Sequence, residues 1–425
     1  MRRLTLPTGL DPLFWRVLAG VLVSAVGTGL TMPFLLVYLH DVRGIGTTAA
    51  ALVIAWLGLA AIAVTPAAGA FTDRIGPMPV LIGGQLVVGV GSVGLAFTGN
   101  VPMALLTTGL ASVGFTAATT AESTLISRLA RHAAQEWVFG LQFLVFSAGI
   151  GIGALVSGLV VDVTNPASFQ IIFLVDAASY FIYAAVMLTM RGAGQAPEAT
   201  SDDNPADALG SGERIGFRAV WRNRAMRRVL ILAAVSTTCS GGQVESGFPA
   251  YATQVALVSP RVLALAFVAN TVTIVVGQQV LLPNIVGRSR SRLIALGCLT
   301  WAVCWALVWA ASGWAGTPVA ACLVVAAFVV FSFGEIIVSP TAPSVVNALA
   351  PEQLRGRYNA AFSLTFSLGI LLGPVMTGLL FGAGLTTLWA ALIVVGNLLA
   401  GVLALRLRRH LTGAQDGLLE PAAAT

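Results

Sequence analysis

Residues 127–160, SRLARHAAQEWVFGLQFLVFSAGIGIGALVSGLV, decide the fold once a second stretch of the chain is laid against them. Shifted by 220 positions they fall on residues 347–380, NALAPEQLRGRYNAAFSLTFSLGILLGPVMTGLL. Leu129 and Ala130 meet Leu349 and Ala350, and Gly149, Gly153 and Gly158 meet Gly369, Gly373 and Gly378. Upstream, Gly114 meets Gly334. At a shift of 216 Pro33 falls on Pro249, and at 211 AGAFTDRIGPMPVL falls on QVLLPNIVGRSRSR, with Gly76 on Gly287 and Asp73 on Asn284. Small insertions account for the drifting offset, so the chain carries two copies of one unit.

Composition names the solvent. Of 425 residues 57% are hydrophobic and 9% charged, with a mean hydropathy of +0.89. A soluble domain carries about 25% charged residues, so the bilayer is the medium this chain is built for. A spanning helix needs about 20 mainly apolar residues. Such runs lie near 14–39, 48–71, 79–98, 102–127, 138–162, 168–190, 228–254, 262–285, 292–312, 317–345, 358–382 and 386–407. The expectation is an all-α membrane protein with twelve transmembrane helices in two pseudo-symmetric six-helix bundles. The bundles are 1–190 and 228–409, joined by a linker at 191–227 and followed by a tail at 410–425.

All 23 basic residues are arginine. With the N-terminus placed inside, 21 fall in inner segments and only Arg43 and Arg261 in outer ones. This inside-positive bias puts both termini in the cytoplasm and the protein in the cytoplasmic membrane. The arginine excess therefore reads as topology and implies no nucleic acid. The linker begins small, polar and acidic, then continues as RIGFRAVWRNRAMRR, which suits either a short interfacial helix or a plain basic linker. Cys239, Cys298, Cys304 and Cys322 sit in apolar runs without metal-ligand spacing, and His40, His132 and His410 have no partners at such spacing. There is no phosphate-binding loop. No cofactor, metal or enzymatic activity is expected.

Three stretches bring a family to mind. GAFTDRIG (69–76) resembles the Gly-x-x-x-Asp-Arg-x-Gly signature of the major facilitator superfamily, through Gly69, Asp73, Arg74 and Gly76. GIGIGALVSG (149–158) and GILLGPVMTG (369–378, with Pro374) resemble the glycine-rich antiporter motif of proton-driven drug exporters in that superfamily. The departures are Pro77 and Met78, where basic residues usually follow the signature, and Ala154, where the antiporter motif usually has proline. The resemblance implies the major facilitator fold, a central path lined by spans 1, 4, 7 and 10, and a latch role for Asp73. On physical grounds alone, the small-xxx-small spacing of Gly149, Gly153, Gly369 and Gly373 allows close helix packing, which is itself a sufficient reason for those glycines.

Four acids fall inside the spans: Glu122, Asp176, Glu245 and Glu335. No arginine falls well inside any of them. Burial penalises the charged form of a carboxyl group. An acid at depth with no built-in cation can exchange a proton or pair with a cation that arrives from outside. Glu335 and Glu245 are the leading carriers, with Glu122 nearer the inner mouth and Asp176 expected to make a structural hydrogen bond. For each the alternative is a protonated acid satisfied by neighbours. The polar groups Gln142, Gln243, Asn270, Gln278, Gln279 and Asn397 read as links between helices. Phe34, Tyr38, Phe248 and Tyr251 flank the paired prolines, as a substrate wall or as packing. The function read from this is a secondary transporter, a monomer, exporting small lipophilic neutral or cationic compounds in exchange for protons. A transporter of one specific metabolite and a non-transporting receptor are the alternatives.

Overall fold

A computed structural model describes residues 12–35, 38–129, 135–161, 165–190, 218–244 and 246–418. The first six long helices are α1 Pro12–Thr31, α2 Thr47–Ile75, α3 Pro77–Ala96, α4 Val101–Leu129, α5 Gln135–Val160 and α6 Pro166–Leu188. After them come α7 Arg224–Ser236, α8 Pro260–Ile285, α9 Arg290–Ala311, α10 Pro318–Leu349, α11 Arg355–Gly382 and α12 Thr386–Leu407. Among the described residues there is no strand, and eleven of these helices are long and apolar enough to cross a bilayer.

The starts of the helices follow from local chemistry. Pro77, Pro166, Pro260 and Pro318 open theirs, where a missing N–H costs nothing. Asn165, Asn223, Ser289 and Thr317 accept backbone N–H bonds as caps. Gly76 and Gly287, paired by the repeat, both turn the chain at positive φ, +86° and +76°. Only glycine takes that conformation without strain, so both connections turn at a glycine, the first through Gly76 alone and the second within 286–289.

The predicted seventh span is the exception. Residues 228–254 do not form one helix: α7 ends at Ser236, Thr237–Gly241 is a π-turn, Gly242–Val244 a single turn, and Gly247–Gln254 a short helix. The glycines at 241, 242 and 247 weaken the helix there, and side chains satisfy the loosened backbone. Gln243, fully buried, donates to Thr238 O (2.9 Å) and accepts from Thr377 Oγ1 (2.8 Å) and Trp389 Nε1 (3.2 Å). Asn397 donates to Cys239 O and accepts from Ser240 Oγ (2.7 Å). The first span shows a related interruption, a 3-10 turn at Met32–Phe34 and a π-turn at Tyr38–Val42.

The two sets of six pack alike. In the first, α3 lies on α4 and α6, α1 on α5 and α6, and α2 on α4. In the second, α9 lies on α10 and α12, α7 on α11 and α12, and α8 on α10. The sets meet along two seams, α2 against α11 and α5 against α8 and α10, which exchange places under the pseudo-twofold. Of the expected linker, 218–222 is helical, with Val220 buried against α7, and 224–227 already belong to α7, which starts earlier than the span read from the sequence; residues 191–217 and 419–425 lie outside the described residues.

Candidate functional site

Between the two sets lies a cavity of about 230 Å³. α4 supplies Phe115, Ala118, Thr119, Glu122 and Ser123, one helical face at spacings of three and four. α5 supplies Phe139, Gln142, Phe143 and Phe146 in the same rhythm. Ser24 of α1, Gln85 of α3 and Tyr180 of α6 complete the wall, and Ser339 and Pro343 of α10 close it from the other half.

Glu122 is the acid of this cavity and is buried. Gln142 Nε2 donates to its Oε1 (2.6 Å) and Tyr183 Oη to its Oε2 (3.0 Å). Among the described residues no arginine pairs with it. The partner types matter. An amide N–H can only donate, whereas a phenolic hydroxyl donates to a carboxylate and accepts from a carboxylic acid. Glu122 can therefore keep a hydrogen bond to Tyr183 in either protonation state, which is what a group that loads and releases a proton requires.

Glu335 stands on α10 one turn before Ser339, so about 6 Å along the helix from the cavity wall. It is half-buried, with Oε2 held by Asn270 Nδ2 (2.8 Å) of α8; Asn270 also donates to Ser332 Oγ (2.9 Å). The structure thus places Glu122 in the cavity and Glu335 beside it, on opposite halves. Glu245 lies outside the described residues. Asp176 is buried inside the first half, accepting from Ser92 Oγ (2.9 Å) and Thr31 Oγ1 (3.4 Å).

The aromatic wall differs from expectation. Tyr38 packs between Phe169 and Phe173, Phe248 stacks on Phe328, and Tyr251 stacks on Trp389. All three are interior to one half and none lines the cavity. The phenylalanines that do line it, Phe115, Phe139, Phe143 and Phe146, come from α4 and α5, beside Tyr180 of α6. Their common face with Glu122 and Gln142 is the signal that would have found them.

At the arginine-rich end the two seams are closed. Asp73, at the end of α2, takes N–H bonds from Gly356 (2.6 Å to Oδ1) and Arg357 (3.1 Å to Oδ2), the first turn of α11. The Arg357 guanidinium lies 3.7 Å away. A carboxylate there satisfies orphan helix donors and faces the positive end of the helix dipole. Gly69 makes the approach possible: a Cβ would come within 2.5 Å of Ala360 Cβ and 2.9 Å of Gly356 O. Arg74 lies on the exposed side of this turn and Gly76 ends it. At the other seam Gln278 Nε2 donates to Gly140 O (2.6 Å), and buried Arg290 pairs with buried Glu136.

In the glycine-rich stretches Gly149, Gly153, Gly369 and Gly373 face their own half, whereas Gly151 faces Thr271 of α8 across the seam. Gly149 and Gly153 of α5 lie against the α1 backbone at Leu22, Val26, Gly29 and Leu30. Gly369 and Gly373 of α11 lie against Thr237 and Gly242 at the break after α7. Gly158 and Gly378, expected to share this packing, do not: a Cβ on either would meet nothing within 4 Å, because the close approach ends one turn earlier. Pro374 points away from the contact and is exposed.

A sequence model described as the Major Facilitator Superfamily matches residues 17–374 and 248–421. The chain is 24% identical over 385 residues to the uncharacterized MFS-type transporter YqjV of Bacillus subtilis (strain 168), covering 88% of each. It is 23% identical over 365 residues to YttB of the same organism, covering 85% of this chain and 86% of that one. Among solved structures, a bacterial homologue of the iron transporter ferroportin in its outward-facing state superposes with a TM-score of 0.71 at 15% identity, covering 94% and 100% of the two chains. The fucose:proton symporter of E. coli gives 0.70 at 14%, covering 94% and 98%, and the human organic anion transporter MFSD10 0.67 at 16%, covering 92% and 100%.

Proposed function

The chain belongs to the major facilitator superfamily and is a multi-pass membrane transporter, and from that premise we propose that it exports small lipophilic neutral or cationic compounds in exchange for protons. The observation that carries this reading is Glu122: a buried carboxyl group in a cavity between the halves, walled by phenylalanines, with a switchable hydrogen-bond partner and, among the described residues, no arginine paired with it. Such a lining disfavours a small anion, which would look for a fixed cation, and suits an apolar cation, which the ring faces and the carboxylate both attract. A proton on Glu122 removes that attraction; its departure restores it. The two ligands then exclude one another at one carboxyl group, which is the requirement for exchange. Glu335, one turn from the cavity on the opposite half, is the second exchanging acid, and Glu245 of the interrupted seventh span stays within the same proposal.

Alternating access follows from the two seams. With the arginine-rich end held shut by Asp73 and by Arg290–Glu136, the site is reached from the opposite side; opening requires both contacts to part. Charge bias places the arginine-rich end and both termini in the cytoplasm. The working unit is a monomer, since the path runs within one chain.

The test is dye efflux from proteoliposomes under an imposed pH gradient, for wild type, Glu122→Gln and Glu335→Gln. Gradient-driven transport of a lipophilic cation is expected to fall at least tenfold in Glu122→Gln, with downhill movement retained. Full gradient dependence in both variants would count against the site. The polar groups Ser24, Gln85, Thr119 and Ser123 in a small cavity favour one second reading, a dedicated carrier of a single polar metabolite. A panel of cationic dyes that all fail to move would favour it.

A further inference from the structure

Beyond α12 the chain folds back on itself. Asp416 N donates to Thr412 O (2.9 Å), Leu418 N to Gly413 O (2.9 Å), and Thr412 N to Gln415 Oε1 (3.0 Å). This closed turn delivers Asp416, 2% exposed, to the start of α9. There Oδ1 accepts from Ser291 N (2.8 Å) and Oδ2 from Ser289 Oγ (2.6 Å), while Arg408 Nε lies 3.9 Å from Oδ2. The carboxylate therefore caps α9 from a distance of more than a hundred residues, supplying what the local sequence RSRS leaves partly unmet.

Between those two serines stands Arg290, and the same turn holds it at three points. Its N–H donates to Asp416 O (2.9 Å) and its Nη1 to Gln415 O (3.0 Å). Gly417, at φ +77°, lies flat against it: a Cβ there would sit 3.2 Å from Arg290 Nε and 3.1 Å from Arg288 O. Arg290 Nε is left to reach Glu136, the second residue of α5, on the other half of the molecule. A guanidinium on a flexible stem must give up its rotamer freedom to make a buried pair. Here the backbone of 415–417 has already fixed it.

We propose that residues 411–418 form a clasp that positions Arg290 for Glu136, so that the clasp sets how readily the arginine-rich end opens. The proposal rests on the alternating-access reading above. Among the described residues Asp416 and Gln415 do not line the cavity and make no hydrogen bond or ion pair to the other half; they act through Arg290. The clasp must loosen, or travel with α9, for α5 and α9 to part, and any ligand or modification that engages 411–418 would shift the balance between the two open states.

Hydrogen exchange of the full chain in nanodiscs tests this, read on the amides of 119–129 and 135–143, which belong to the opposite half. Asp416→Asn is expected to speed their exchange at least threefold, as is Glu136→Gln, and the double variant no more than Glu136→Gln alone. Faster exchange confined to 289–293 and 411–418, or additive effects, would overturn the proposal. A general loosening of the fold would also raise exchange in α3; Gly417→Ala, which keeps every side chain of the clasp, then supplies the measurement, with the same two outcomes. Gradient-driven dye efflux in the same preparations reports on the transport reading separately. A response to Glu136→Gln without one to Asp416→Asn removes the clasp and leaves that reading standing; coupled exchange without any transport does the reverse.

Discussion

The seam between α2 and α11 and the seam between α5 and α8 are one contact built twice, and the repeat lets them be compared residue by residue. In the first, the acid comes from α2 and the donors are backbone N–H groups of Gly356 and Arg357. In the second, position 284, which the repeat pairs with Asp73, is Asn284, and its amide turns back to Val280 O of its own helix. Glu136 is the position the repeat pairs with Gly356. The polarity has been reversed: the acid has moved to α5, and a long arginine side chain from α9 meets it. The first seam needs no further support, because a helix terminus is rigid. The second spends side-chain freedom, and the chain has added a docked segment beside it.

The largest effect that would break this comparison is expected at the buried pair. Removing one partner of a buried ion pair costs about 3–5 kcal/mol. Glu136→Ala should therefore favour the state open at the arginine-rich end, seen as faster labelling of a cysteine placed at Ser123 by a polar thiol reagent. Asp73→Asn comes next. It forfeits charge assistance in two helix-terminus bonds, each worth about 1.5–3 kcal/mol when the acceptor is charged, but keeps one amide oxygen as acceptor. The same labelling should rise less than in Glu136→Ala; an equal or greater rise would mean that the first seam bears the main closing strain. Gly69→Val against Gly140→Val sharpens the contrast. A Cβ at Gly69 meets the Ala360 methyl and Gly356 backbone, which cannot yield, whereas one at Gly140 meets the ends of Leu282 and Gln278, which can. Transport rate should fall at least tenfold in the first and only a few-fold in the second. The smallest effect is expected for Gln278→Ala, which removes one neutral hydrogen bond worth about 1 kcal/mol.

Much of this was legible in the sequence, and the rest was not for identifiable reasons. Apart from the first span, whose long helix ends at Thr31 rather than near 39, and the seventh, span positions came out within a few residues, because bilayer thickness fixes the length of an apolar run. The interrupted seventh span was read as one helix: its glycines are compatible with a packed helix, and the interruption depends on Gln243 of the span turning back to Thr238 O and on Asn397 of α12 reaching Cys239 O. Glu335 was ranked above Glu122 by depth along the helix. Position in the cavity depends instead on which face of α4 turns inward, and α4 spreads its serines and threonines around its circumference, which leaves little amphipathic pattern to say so. Arginines 288, 290 and 292 were read together as topology. One of them is a buried cross-half contact, and no local pattern separates it from its neighbours.

The glycine contacts of α1 with α5, and of the chain after α7 with α11, bring backbones together with only the short side chains of Ala25 and Thr237 beside them, which leaves little to slide or repack. Each half is therefore a stiff plate, and the long helices along the seams act as levers on it. α2 and α11, of 29 and 28 residues, run about 43 Å. A tilt of about 10° around their midpoints would displace each end by roughly 4 Å, from the same rise per residue. Gatekeeping at either mouth thus needs only a few short contacts to be exchanged, while the interior of each plate stays unchanged throughout the cycle.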